Sequence, residues 1–170
     1  MTRRKVLQVG DVFALPVSED RVVAGQVVGR YGADAYYFAI FDASAESPDA
    51  LDIAAILRQR LMFLVLSFDA KLANGDWPVI GSHSVSQELP MPAYRVGVGF
   101  PPVATVEDWT GTRSRPATQS EAETLPARKF VAPVRIEKAV KAKHGVLPWH
   151  ESYTELAPAT EAMTTAGVFR

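Results

Sequence analysis

The opening third of the chain breaks its apolar residues into short runs with the period of strands rather than helices. Residues 10–17 (GDVFALPV) predict a first strand, placed at a sheet edge because Pro16 removes a ladder donor. Ser18, Glu19 and Asp20 form a polar turn. Residues 22–31 predict a second strand, in which Gly25 and Gly29 mark bends or bulges of the kind that curl a sheet. Residues 35–41, rich in aromatic side chains, predict a third. Strands this close in sequence are joined by short turns and pair antiparallel.

The period then changes. Ser47 reads as an N-cap, Pro48 as the first helical residue and Asp49 as a first-turn acid, so residues 48–58 predict a helix with Ile53, Ile56 and Leu57 as its apolar stripe. Residues 61–68 (LMFLVLSF) are apolar on both faces, which predicts a strand at the centre of the sheet. Residues 69–75 fit either a hairpin turn at Asn74-Gly75 or one helical turn closed by a left-handed Gly75, and the second is preferred. Further strands are expected at 77–81 and 94–98, with an extended stretch between them at Pro90 and Pro92. Thr118 and Glu121 have capping-box spacing and start a short helix that Pro126 ends. Residues 133–144 predict a longer helix: Ile136, Ala139 and Val140 form its apolar stripe, Glu137 and Lys141 an i,i+4 pair, and Gly145 its stop. The expected fold is α+β, a strongly curved antiparallel sheet or small open barrel with two or three packed helices. It fills one domain over 1–156, and residues 157–170 are expected to form a flexible tail.

Composition narrows the function classes. At 170 residues and 48% apolar content the chain can bury a proper core. It contains no cysteine, which removes disulfides and thiolate chemistry. The basic start at Arg3, Arg4 and Lys5 is not followed by the apolar run of a secretory signal, and no stretch approaches the ~20 apolar residues of a membrane span, so a cytoplasmic location is expected. A formal net charge of −1 gives no strong overall field. The charge is nevertheless segregated. Asp42, Glu46, Asp49 and Asp52 lie in a stretch free of Lys and Arg, while residues 128–143 carry six basic residues against Glu137 alone. These two regions read either as solvated faces that attract each other, or as an acidic patch for a basic partner.

Catalytic signatures are sparse. There is no P-loop, dinucleotide fingerprint or nucleophile elbow. His83, His144 and His150 are the three histidines, and no two of them share a helical face at zinc-protease spacing. A divalent-metal hydrolase centre would require the fold to gather them with Asp69 or Asp108; otherwise no cofactor is expected. Trp77, Trp109 and Trp149 are core residues or partner anchors.

Several runs taken together resemble the Immunity protein 26 family. They are residues 10–16, Gly25-Gln26-Val27-Val28-Gly29, Ala39-Ile40-Phe41-Asp42, 63–69, Trp77-Pro78-Val79-Ile80-Gly81, 92–97, Arg115-Pro116-Ala117-Thr118, 136–145 and Trp149-His150, in an order that spans residues 9–153. The resemblance implies a cytoplasmic protein that neutralises a cognate toxin of a bacterial polymorphic toxin system by direct binding. The same family label covers a phosphotriesterase that hydrolyses coroxon, so the resemblance also implies an enzyme alternative. A small-ligand module at a barrel mouth is a third reading. Phosphotriester hydrolysis needs activated water and usually a metal pair, whereas a binder needs only a complementary surface. The matched residues are mostly glycine, proline and aromatic, types that shape a scaffold. Binding is therefore preferred, with Asp42, Glu46, Asp49 and Asp52 as the contact surface.

Overall fold

A computed structural model of the chain describes residues 6–99 and 103–170. These form an α+β structure with two antiparallel sheets, and the chain divides into two compact units. The first unit comprises residues up to Ser86 together with Phe130–Ala157; the second comprises Gln87–Lys129 and Pro158–Arg170.

The first unit holds strands β1 (Asp11–Ser18), β2 (Arg21–Tyr31), β3 (Ala35–Ala45), β4 (Leu61–Phe68) and β5 (Val79–Ser82), in the order β4-β3-β2-β1-β5. The first three strands pair antiparallel in sequence order, and the β2–β3 register shifts between Val23 and Gly25 and again between Val27 and Gly29. Both shifts fall where glycine was expected to bend the strand. At Gly25 the reason is steric: a Cβ there would stand 2.3 Å from the Phe13 ring.

Two strands sit elsewhere than expected. β4 was assigned to the centre of the sheet and is an outer strand. Its free edge is covered instead by the chain around Val131, whose N–H donates to the Leu66 carbonyl and whose carbonyl accepts from the Ser67 hydroxyl at 2.5 Å. A covered edge shields an apolar strand as a neighbouring strand would. β1 was assigned to an edge but pairs with β5 over Asp11–Phe13. Pro16 lies beyond the reach of β5, so its missing N–H costs no ladder bond there. Both sheets keep outer strands and neither closes, so the barrel expected from the glycine pattern is not formed among the described residues.

Local signals set the helices. The expected 48–58 helix is split into a 3-10 turn at Pro48–Ala50 and a short helix α1 (Ile53–Ile56). Ser47 makes no side-chain cap, whereas the Asp52 carboxylate accepts from the Ala55 N–H at 3.3 Å and restarts the helix. A second competent cap four residues into a weak helix breaks it in two. The one-turn reading of 69–75 holds as α2 (Ala70–Ala73), followed by Gly75 at φ +80°.

The principal helix carries the core across one face of the sheet. The second-unit helix α3 (Gln119–Thr124) precedes it in sequence, and α4 (Pro133–Lys143) lies where expected, with Ile136, Ala139 and Val140 wholly buried. These three join Phe13, Leu15, Val23, Phe38, Ile40 and Trp77 in one apolar cluster. Trp77 stacks on Phe13 with ring centroids 5.5 Å apart and donates its indole N–H to Glu137 at 3.1 Å. Burial pushes the Glu137 carboxyl up. The Trp77 and Lys141 hydrogen bonds and the Lys141 and Lys71 charges outweigh that and hold it below its ordinary range.

The second unit contains β6 (Tyr94–Val98), β7 (Val103–Glu107) and β8 (Ser114–Pro116), with a small core of Ala93, Val106, Leu125 and Val168. Residues 157–170, expected to form a flexible tail, contain a 3-10 turn (Glu161–Met163) and a short helix α5 (Thr165–Val168), with Thr164, Thr165 and Val168 buried. Their alanine-rich composition hides this because the anchoring bonds are polar: Thr165 Oγ1 donates to the Pro92 carbonyl at 2.8 Å.

The capping box expected at Thr118 is present, and Glu121 also takes a two-pronged ion pair from Arg115 at 2.7 and 2.8 Å. These bonds draw the Glu121 carboxyl down to about 2 from 4.5. A depressed carboxylate stabilises the folded state above the unfolded pKa and loses that contribution as pH falls through the folded value. Part of the pair is exposed to solvent, so Glu121→Gln should cost about 1 kcal/mol at neutral pH. The variant should also flatten the pH dependence of stability between 4.5 and about 2 in urea titrations.

Candidate functional site

The end of β3 and the segment that connects it to β4 lie on the surface of the first unit and carry the four carboxylates singled out by charge. Asp42 follows Phe41, the last residue of β3 in register with β4, and its N–H donates to the Arg60 carbonyl at 2.7 Å. Glu46 follows in the turn, Asp49 lies in the 3-10 turn and Asp52 caps α1. All four residues are exposed, and none forms an ion pair among the described residues. Among the described residues the one side-chain hydrogen bond of these four is the Asp52 cap.

Two depressions flank this segment. One, of about 290 Å³, is floored by Ala43, Ala45, Ala50, Ala55 and Ile56, with Asp52 and Gln59 in its lining. The other, of about 570 Å³, lies between Pro48, Asp49, Leu51 and Ile53 on one side and Pro78, Val79 and Ile80 on the other. Each combines an aliphatic floor with a carboxylate in its wall. That combination suits a lysine or arginine side chain, whose methylene stem packs on apolar surface while its cationic head reaches the carboxylate. The alanines flooring the first depression were not singled out in the sequence, and Pro48, Ile53 and Ile56 were read only as parts of a helix. Alanines spaced along a turn resemble any other surface until the 3-10 turn and α1 fold back over β3.

The residues considered for hydrolysis have local duties. His83 is exposed, and its backbone matters more than its ring: its N–H donates to the Gly10 carbonyl and its carbonyl accepts from the buried Gln26 amide at 2.8 Å. His150 caps the 3-10 turn Glu151–Leu156, with Nδ1 accepting from the Ser152 N–H at 3.2 Å. His144 caps the end of α4, where burial and the Arg21 charge lower its pKa and the Asp42 charge partly offsets them. Asp69 stands at the start of α2, and its side chain makes no cap there. Asp108, in the second unit, is buried and accepts from the Thr110 hydroxyl and from the Thr112 and Arg113 N–H groups. Burial pushes its carboxyl up, yet these bonds and the Arg113 charge hold it below its ordinary value. It organises a tight loop. Among the described residues no three His, Asp or Glu side chains gather in a group able to hold an ion.

A family model for Immunity protein 26 matches residues 8–99. The chain belongs to the Immunity protein 26 family. The match runs from just before β1 to just past β6 and so contains the whole acidic segment and both depressions, whereas the resembling runs at 115–118, 136–145 and 149–150 lie outside it. Comparison with curated proteins and with solved structures gives no match. Membership makes this an immunity protein of toxin systems. No helix among the described residues is long and apolar enough to cross a membrane.

Proposed function

We propose that this immunity protein neutralises a cognate bacterial toxin by direct binding, and that the acidic segment 42–52 with its two depressions is the contact surface. The observation carrying this reading is the set of four exposed carboxylates, unpaired in ions, beside aliphatic floors inside the family-matched region. Four like charges along one short segment repel one another, and a basic partner surface converts that repulsion into attraction. Such surfaces accelerate association and make it salt-dependent, which suits a protein that must meet its toxin quickly in the cytoplasm. The reading requires no metal or organic cofactor.

The test is titration of the cognate toxin with the wild type and with the Asp49→Lys/Asp52→Lys variant. Like-charge contacts at an interface cost several kcal/mol, so affinity should fall roughly 100-fold or more, mostly through slower association at low salt. Unchanged affinity, with unchanged unfolding behaviour, would remove the segment as the toxin site.

A further inference from the structure

The second unit holds a cavity that the proposed toxin surface does not use. Its volume is about 530 Å³, within the size range of small-molecule sites, and every residue lining it belongs to this unit. Three segments distant in sequence form its walls: residues 87–91, the loop after β7 with Trp109 and Arg113, and the last residues from Glu161 to Arg170. Thr165 ties the three together. Its N–H donates to the Met91 carbonyl at 2.8 Å and its hydroxyl to the Pro92 carbonyl at 2.8 Å, while the same hydroxyl oxygen accepts from the Trp109 N–H at 3.1 Å. Thr165 is buried, so these walls are set before any ligand arrives, which lowers the cost of binding one.

The lining sets Leu89, Pro90 and Met91 together with Trp109, a combination that takes a flat apolar body and, through the thioether, adapts to its outline. The charged groups of the lining differ in what they have left to offer. Arg170 is paired with Glu161, and Glu88 is not without a partner. Arg113 is different. Its guanidinium lies over the Phe169 ring, 4.8 Å from the ring centre, and donates no hydrogen bond among the described residues. The Asp108 carboxylate stands 3.6 Å from its Nε, beyond hydrogen-bond reach, and already accepts from the Thr110 hydroxyl and from the Thr112 and Arg113 N–H groups. One guanidinium with its fork unengaged matches one planar carboxylate, whereas a phosphate dianion calls for more donors. We infer that this cavity binds a small aromatic monocarboxylate, with its ring against Trp109 and the Leu89–Met91 wall and its carboxylate on Arg113. The inference is independent of toxin binding, because the acidic segment 42–52 belongs to the first unit.

Titration of the full chain with indole-3-acetate, followed by calorimetry and by amide NMR shifts, tests the inference; indole-3-acetamide is the neutral counterpart and tryptamine the cationic one. The acid should bind with a Kd of about 1 mM or tighter, the affinity open to about 13 non-hydrogen atoms at ordinary ligand efficiency. The amide and the amine should bind about tenfold or more weakly, since neither offers Arg113 a carboxylate. Shifts should centre on residues 87–91, 109–113 and 161–170. Arg113→Gln should weaken the acid by about tenfold or more, and Arg113→Lys by less, because lysine keeps the charge without the fork. The Arg113 side chain is 57% exposed, so both variants should keep the wild-type amide spectrum outside the loop, which separates a lost contact from a lost fold. No binding of the acid at about 10 mM, equal or tighter binding of the amide or the amine, shifts confined to other residues, or an Arg113→Gln variant that binds the acid as the wild type does would each overturn the inference.

Discussion

Trp77→Ala should lower the stability of the first unit by about 3–5 kcal/mol, the usual cost of truncating a wholly buried large aromatic. Trp77 is completely buried, stacks on Phe13 and meets Phe38 edge-on at 6.2 Å. Its removal leaves a cavity where three aromatic rings now fill the space between the sheet and α4. It also takes from Glu137 the indole hydrogen bond that ties this helix to the loop before β5. Glu137 keeps Lys71 and Lys141, so the variant does not strand a buried charge, and the loss is chiefly one of packing. Denaturant unfolding measures it as a lower midpoint at nearly constant slope. Trp77→Phe separates the two contributions: a ring retained without the indole N–H should recover most of the loss and leave a deficit of about 1 kcal/mol for the bond to Glu137. A phenylalanine variant as unstable as the alanine variant would mean that the polar tie, not the stack, holds the helix down.

Gly25→Ala should cost about 1–3 kcal/mol although it adds a single methyl group. Elsewhere a glycine-to-alanine change at an ordinary φ stabilises a protein by restricting its unfolded chain. Here the new Cβ would stand 2.3 and 2.6 Å from atoms of the Phe13 ring and 2.9 Å from the Ile40 side chain, all in the centre of the core. The Phe13 ring cannot retreat, because Trp77 stacks on its face and Phe38 meets it edge-on at 5.4 Å. Phe13→Leu destabilises on its own, but combined with Gly25→Ala it should do so by less than the sum, since the smaller side chain vacates the space the methyl group needs. Strict additivity in that double-mutant cycle would contradict the steric account.

Much of this architecture is legible in the sequence where local chemistry decides the outcome. The order and antiparallel pairing of β1 to β3, the span of α4, the capping box at Thr118 and the left-handed Gly75 all follow from patterns a few residues long. What the sequence hides is set by contacts between distant segments. The apolar run of β4 reads the same whether a strand or the chain at Val131 covers its edge, and only the fold shows the latter. The last residues read as a tail because few of them are large and apolar: threonine hydroxyls share the anchoring with Val168 and its neighbours Met163 and Phe169. The acidic segment is plain from charge alone. Its aliphatic floors exist only once Pro48–Ala50 and α1 fold over β3.

The same contrast separates the two functions implied by the resemblance. A hydrolase needs a convergent set of groups around a reacting atom. His83 lends its backbone to the Gln26 contact, His150 caps a turn, and His144 ends a helix under the influence of Arg21 and Asp42. A binder needs an accessible surface, and the surface proposed at 42–56 offers exposed carboxylates beside aliphatic floors without depending on any one reactive group.

Backbone hydrogen exchange of the protein, free and with its toxin, tests the central claim most directly, because it maps the covered surface without mutation. The account predicts that slowing on complex formation centres on residues 42–56 and on the neighbouring strand at 78–80. Protection that leaves both stretches unchanged and appears elsewhere on the chain would contradict it.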